Sequence, residues 1–491
     1  MRIPTTISWT LLVIVLSVLL SCLARNGNSY SWHDNFNVTL QRDSSLISLA
    51  ELINKQQDFF RKWSDTEDNY IKFFKSLEPW IFSNISRNVD VSKKPILELN
   101  CRNPHYSGVL TGKELTTPRV IVDFVPFGYE LDKLLIRLHE TADFIDLFVI
   151  YESARTQSGL HKPLYLSKLR SKRNHVIQQW LPKILHFTGV DTELASLTAR
   201  TRASVSRKRS SKTYDKSDLW ALETAMRTRM VEKFLSLDES VYPLKARVMR
   251  GLKEALGIQN DADEIIKGEV LFHLKHCELK KGVSGIYTPS FHFKRNFHWM
   301  EESHDLGCLA QPSFPLQADM HTFTSRLWRP GPYLYPLSLM LGIRSTNRKH
   351  TFETKFYCHH HMGLGAAVHI SSVADPVDLW MKRCGVIEQD CTGTLSREFI
   401  AAARNSQVTP DMIFKSASGP LCSLPKKDRM LFVPNLRYPH RQVFEDAVPW
   451  IVRSNPETFP FMLPMNATAT GFTAENTVKK YGVMPWKTYC S

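Results

Sequence analysis

The sequence predicts an α/β domain with a mostly parallel central sheet, set behind one apolar N-terminal segment. Three observations predict it. A strand, a helix and a second strand follow one another within about thirty-five residues between Arg119 and Ser153, the signature of a βαβ unit. Hydrophobic residues make up 43% of the 491-residue chain and aromatic residues 11%, enough for a substantial core and too much for a disordered protein. The run from Ile7 to Ala24 carries no charge and is dominated by Leu, Val and Ile.

That run is about the minimum length for a spanning helix and longer than the usual apolar region of a cleaved signal. With Met1 and Arg2 before it and Arg25 after it, residues 7–24 are expected to be a signal anchor with a cytosolic tail at 1–6. Cys22, Leu23 and Ala24 also fit a cleavage site, and both readings put the bulk of the chain in a lumenal or extracellular compartment. Two features agree. Sequons start at Asn37, Asn84 and Asn466, and eight cysteines outside the apolar run form an even set suited to disulfides, with pairings the sequence does not reveal. Residues 25–117 are polar and interrupted and read as a stem, with a partly helical aromatic stretch from Phe59 to Phe82 that fits ordinary core packing equally well.

From Pro118 the texture changes. Arg119 to Val125 reads as a buried strand, Tyr129 to Asp143 as a helix with Leu131, Leu134, Leu135 and Leu138 on one face, and Phe144 to Tyr151 as a second strand. Parallel strands bind ligands at their carboxyl ends, so Glu152 is expected to lie beside a nucleotide. Leu185 to Phe187 is a candidate short strand, and Asp218 to Leu237 a helix capped by Ser217 or Asp218. Leu252 to Ile258 has the texture of a helix end, so the strand before the next motif is either Leu256 to Ile258 alone or displaced. Lys267 to Leu279 follows as a helix and Ile286 to Phe293 as a strand.

Between them stands the most concentrated chemistry in the chain. Asp261, Asp263 and Glu264 fall within one turn, and carboxylates that close repel unless a cation stands among them. The pattern fits a Mg²⁺ or Mn²⁺ site and equally a solvated acidic turn. The net charge of +15 invites a nucleic-acid partner, and Arg200 to Lys212 is the most basic stretch, but a secretory N-terminus argues against nuclear addressing. That stretch is expected to be a solvated loop. Cys358, His359, His360 and His361 are adjacent, and neighbours along a strand face opposite ways, so a shared metal is not expected there.

Several blocks resemble one family. Pro118 to Val122, Glu130 to Asp132, Arg137 to Glu140, Asp143 and Phe148 to Ser153 resemble the opening of the bisecting N-acetylglucosaminyltransferases, the β-1,4-mannosyl-glycoprotein 4-β-N-acetylglucosaminyltransferases. The likeness continues through Asp261 to Ile265, Val270 to Leu274 and Phe291 to Lys294, with Phe297 and Trp299. It resumes at Ala366 to Ser371 with Lys382 and fades between Val433 and Leu463. It implies a GT-A-like nucleotide-sugar-binding catalytic domain over 118–464, a tail at 465–491, and a Golgi type II membrane protein. The implied reaction is an inverting, metal-dependent transfer of N-acetylglucosamine from UDP-GlcNAc to the β-linked mannose of an N-glycan core. The chain departs from the family at Ala367 and Val368, where Gly and Trp are usual, at Ile266, where Pro is expected, and in the Arg200 to Lys212 stretch.

The resemblance also implies roles. Asp263 is the first choice for a direct Mn²⁺ or Mg²⁺ ligand, with Asp261 reaching the metal, a metal-bound water or the ribose, and Glu264 in support. Lys382 would face the diphosphate and His369 the diphosphate or the acceptor, against the alternatives of a solvated lysine and a satisfied core histidine. Glu388, Glu301 and Glu302 are the carboxylates from which a general base would come, with Glu388 the candidate named for the role. Glu223 and Arg227, four apart on one helix, read as an ordinary surface pair.

Overall fold

The computed structural model describes residues 89–171, 175–189, 191–209, 220–283, 285–288, 290–293, 299–301, 332–344, 366–370, 432–434 and 448–455, with 75, 78, 218, 346 and 385 singly. All of them belong to one compact unit, Ile47–Ser491. The apolar run at 7–24, the three sequons and the Cys358 to His361 cluster lie outside the described residues. Among those described, no helix is long and apolar enough to cross a membrane.

In chain order the elements are β1 (Leu110–Glu114), β2 (Ile121–Phe127), α1 (Leu131–Thr141), β3 (Leu147–Ser153), α2 (Tyr165–Ser171), α3 (His175–Gln178), β4 (Ile184–Gly189), α4 (Asp191–Arg209), α5 (Ala221–Ser236) and α6 (Pro243–Arg250). There follow β5 (Leu256–Gln259), β6 (Glu264–Ile266), α7 (Gly268–His276), β7 (Cys277–Leu279), β8 (Ile286–Tyr287), β9 (Ser290–Phe293), β10 (Trp299–Glu301), β11 (Tyr333–Pro336), α8 (Leu337–Ile343), β12 (Ala367–Ile370), β13 (Phe432–Pro434) and α9 (Trp450–Ser454).

A six-stranded sheet runs in the order β4-β3-β2-β5-β11-β8. The first four strands run parallel to one another, and β11 lies antiparallel to both β5 and β8. The expected mixed α/β fold with a parallel-rich centre is therefore present. Alternate residues of β2 and β3 feed two separate cores, as the two-residue period of a strand requires. Val125 and Ile150 join Leu134 and Leu138 of α1 and Leu271 of α7 on one side. Phe124 and Val149 join Met230 and Phe234 of α5 and Met340 of α8 on the other. A smaller sheet, β6-β12-β9, hangs beyond β5 and is built around His369's strand.

Several boundaries differ from the expectation. The basic stretch from Arg200 to Arg209 is the second half of α4, not a loop. Its inner face is Leu194, Thr198, Thr201, Ser204 and Val205, all buried, and because three of these are polar the helical spacing carried no hydrophobic signal. Asp218 does not cap α5. Its carboxylate pairs with Arg200 and its carbonyl accepts from Thr201 Oγ1 at 3.0 Å. The predicted Ile286 to Phe293 strand divides into β8 and β9, which belong to different sheets. Within the segment read as stem, β1 pairs antiparallel with β7, and Cys101 forms a disulfide with Cys277. Further out, Asn455 Oδ1 accepts from Asp90 N at 2.6 Å and its Nδ2 donates to Asp90 O at 2.9 Å, so residues 89–114 are tied to the domain at both ends.

Candidate active site

The acidic turn leaves the carboxyl end of β5, in the row where β2 ends at Phe127, β3 at Ser153 and β4 at Gly189. β5 is short and buried along its length. Gly257 is required within it: a Cβ there would stand 2.3 Å from Met340 Sδ and 3.2 Å from Leu337 Cδ1, so α8 packs directly on the strand's backbone. This burial on both faces, without alternation, is why Leu252 to Ile258 resembles a helix end in sequence.

The turn's backbone is held from below by one side chain. Arg137, on α1 and almost fully buried, donates from Nη1 to the carbonyls of Asp261 at 2.8 Å and Glu264 at 3.0 Å. Its Nε and Nη2 bond Asp123 Oδ2 and Oδ1 at 2.6 and 2.8 Å, and Nη2 also reaches Asn260 Oδ1. Asn260 Nδ2 in turn donates to Glu264 O at 2.8 Å, and Asp261 N donates to Glu264 Oε2 at 3.1 Å. The backbone at Asp261 and Glu264 is thus fixed by a buried cation whose own charge Asp123 neutralises.

From the other side β12 delivers His369. It pairs antiparallel with β6, setting His369 opposite Glu264, and Ile370 N donates to Asp263 O at 2.8 Å. The imidazole stands between two carboxylates, Nε2 3.7 Å from Asp263 Oδ1 and Nδ1 4.0 Å from Glu264 Oε1. Side-chain exposure separates the members: 37% for Asp261 against 5% for Asp263 and 3% for Glu264. Val368, at the place of the missing indole, is packed inside the small sheet. Four of the residues named from sequence, Asp261, Asp263, Glu264 and His369, therefore come together.

Glu152 is placed differently. It is fully buried, its Oε1 and Oε2 accept from the N–H groups of Leu166 at 2.8 Å and Ser167 at 3.0 Å at the start of α2, and His186 Nε2 lies 3.2 Å away. Both oxygens accept from backbone N–H groups at the start of α2, so this carboxylate helps to seat that helix at the end of β3. Nearby Lys162 is also buried, and desolvation brings its ammonium down to about 8 against the opposing pull of Glu152. Lys382, Glu388 and Glu302 lie outside the described residues, as does the side chain of Glu301. Gly385, three residues from both Lys382 and Glu388, is described: a Cβ on it would meet Tyr129 at 2.9 Å and Thr156 at 3.3 Å, beyond the ends of β2 and β3.

Among the described residues, no group of three or more His, Cys, Asp or Glu side chains is arranged to hold a metal ion. Asp261 and Asp263 offer carboxylate oxygens at a strand end, and Mg²⁺-type ions keep several positions for phosphate and water. Arg227, expected as half of an ordinary surface pair, is buried instead. It lies on α5, donates to Glu223 Oε1 at 3.0 Å, and forms an ion pair with Asp261 Oδ1. The four-residue spacing to Glu223 was visible in sequence, but the partner 34 positions downstream was not.

The acidic turn thus lies at the carboxyl end of a parallel strand, the place where α/β proteins bind their ligands. Residues 100–212 match the family model described as Glycosyltransferase family 17. This is the family of the bisecting N-acetylglucosaminyltransferases that the sequence blocks resemble, and the chain is a glycosyltransferase, using a sugar donor and a glycan acceptor. The match spans β1 to α4 and ends before the acidic turn. No curated protein matches the chain.

Proposed function

We propose that this chain transfers N-acetylglucosamine from UDP-GlcNAc to the β-linked mannose of N-glycan cores, forming a β-1,4 linkage with inversion in a GT-A-like domain. The observation that carries this reading is the acidic turn at the end of β5, fixed by Arg137 and closed by His369. As the glycosidic bond to UDP breaks, negative charge builds on the diphosphate oxygen, and a bound Mn²⁺ or Mg²⁺ would stabilise it without proton transfer. Asp263 and Asp261 would hold that cation, and Glu264 orients the turn by accepting the Asp261 N–H. His369, beside Asp263, is available to orient that carboxylate or donate to the diphosphate.

The acceptor hydroxyl attacks opposite the departing UDP and must lose its proton to a carboxylate. Glu388 is the proposed base and Lys382 the proposed diphosphate contact, both roles carried by the family blocks that the sequence resembles. Residues 7–24 are proposed to anchor the chain in the Golgi membrane with the catalytic domain lumenal. The Cys101 and Cys277 disulfide supports an oxidising compartment.

The test is mass spectrometry of a biantennary N-glycan after incubation with the chain, UDP-GlcNAc and Mn²⁺. One added HexNAc on the core β-mannose is the expected product. Addition elsewhere changes the acceptor, and addition only from another sugar nucleotide changes the donor.

A further inference from the structure

The connection from β3 to α2 folds back on itself as a tight hairpin. Arg155 and His161 pair antiparallel across it, Thr156 N donates to Leu160 O at 2.8 Å, and Gly159 turns the tip with a φ of +85°. At its base Lys162 N donates to Ala154 O at 2.9 Å, and Ala154 N reaches the carbonyl of Gly189, the last residue of β4, at 3.5 Å. Lys162 is therefore pinned at the carboxyl ends of β3 and β4, the end of the sheet where α/β proteins bind ligands. The residue is 5% exposed, its ammonium stands 5.8 Å over the Tyr165 ring, and it donates to Pro163 O at 3.3 Å. Glu152 is near enough to oppose the desolvation that brings the ammonium down to about 8, but its oxygens already accept from Leu166 N, Ser167 N and His186. Among the described residues, one long hydrogen bond thus serves an ammonium with three donors.

We propose that Lys162 is a specificity-determining residue of the donor site, donating to the C4 carbonyl oxygen of a uracil base laid across the ends of β3 and β4. The inference rests on the reading of the acidic turn as the place of the donor's diphosphate. Strands β3 and β5 flank β2, and neighbouring strands stand about 4.8 Å apart, so their ends lie about 10 Å from one another. A nucleotide with its diphosphate at β5 spans that gap and brings its base to the hairpin. An ammonium can only donate, so it suits the carbonyl that uracil carries at C4 and is refused by the amine that cytosine carries there. The contact also supplies an acceptor to a buried donor, and a site whose buried donor goes unmet with the wrong ligand discriminates strongly.

The test uses the full-length chain in the Mn²⁺ buffer of the transfer assay and measures the affinities of UDP and CDP by calorimetry. Wild type is expected to prefer UDP about tenfold. In Lys162→Met, which keeps the aliphatic stem over Tyr165, the UDP affinity is expected to fall about tenfold while that for CDP stays, so the preference disappears. A second reading needs no variant: between pH 7 and 8.5 the wild-type preference should shrink about threefold as the ammonium gives up its proton. A wild type without preference, equal losses for both nucleotides in the variant, the mark of a merely structural role, or a preference unmoved by pH overturns the inference and leaves the donor site standing. Wild-type protein that binds neither nucleotide removes the donor-site reading itself, and the inference with it.

Discussion

Arg137 and Asp123 form a two-bonded ion pair inside the core, and the guanidinium's remaining donor carries the backbone of the acidic turn. Strand β2, helix α1 and the β5 to β6 turn are thereby locked into one unit beneath the candidate site.

Replacing Arg137 strands a buried carboxylate. Arg137→Met is expected to cost about 3–5 kcal/mol, measured by urea denaturation, because removing one partner of a buried pair leaves the other uncompensated. Adding Asp123→Leu to it should recover part of that stability. It should not recover transfer activity, since the carbonyls of Asp261 and Glu264 still lack their donor. Recovery of both would show that the clamp serves stability alone.

The docking of α9 on α1 gives a pH dependence with a defined sign. His139 lies edge-on to Trp180 at 4.7 Å and to Trp450 at 6.5 Å, and burial first, then Lys94, bring its imidazolium from 6.5 to about 4. A depressed pKa in the folded chain means the unfolded chain takes up a proton that the folded chain refuses. The contribution is therefore full above about pH 6.5 and is lost as pH falls towards 4. Its neighbour Glu140 has the opposite sign. Burial raises its carboxyl, against the N–H bonds from Gly268 and Trp450, so its contribution is present below 4.5 and is lost as pH rises through its folded value. His139→Phe keeps the ring contacts and isolates the histidine. Thermal melts should show a smaller fall in Tm between pH 7 and 4.5 than in the wild type, and an equal fall would remove the assignment.

The Cys101 and Cys277 bridge closes a loop of 176 residues that contains β1 to α7. Loss of a native disulfide of this kind costs about 2–5 kcal/mol. Cys277→Ser, followed by thermal melts with and without reductant, should lower Tm and abolish the reductant's effect at this bridge. It should also loosen the β1 and β7 pair, visible as faster amide exchange at Leu110 to Glu114.

Much of the fold was legible because its central strands are long and its helix α1 is amphipathic. Arg119 to Val125, Tyr129 to Asp143 and Phe144 to Tyr151 gave β2, α1 and β3 with shifts of a few residues. What was hidden had physical causes. The inner face of α4 is lined by threonine and serine, so a helix read as a basic loop. β5 is buried on both sides against Met340, so a strand read as a helix end. The acidic turn announced itself by charge, and His369 through a family block. The partnerships of Arg137 with Asp123, Arg227 with Asp261 and Glu152 with α2 join residues whose pairing depends on sheet order, which local patterns do not contain.

Asp263, beside His369 at the end of β5, is expected to serve the departure of a sugar from its nucleotide. The most direct measurement is UDP release from UDP-GlcNAc in the presence of an N-glycan acceptor and Mn²⁺, comparing wild type with Asp263→Ala. Turnover is expected in the wild type, abolished by chelator, with a loss of about 10²–10³ in the variant. An Asp263→Ala protein that turns over at the wild-type rate would contradict it.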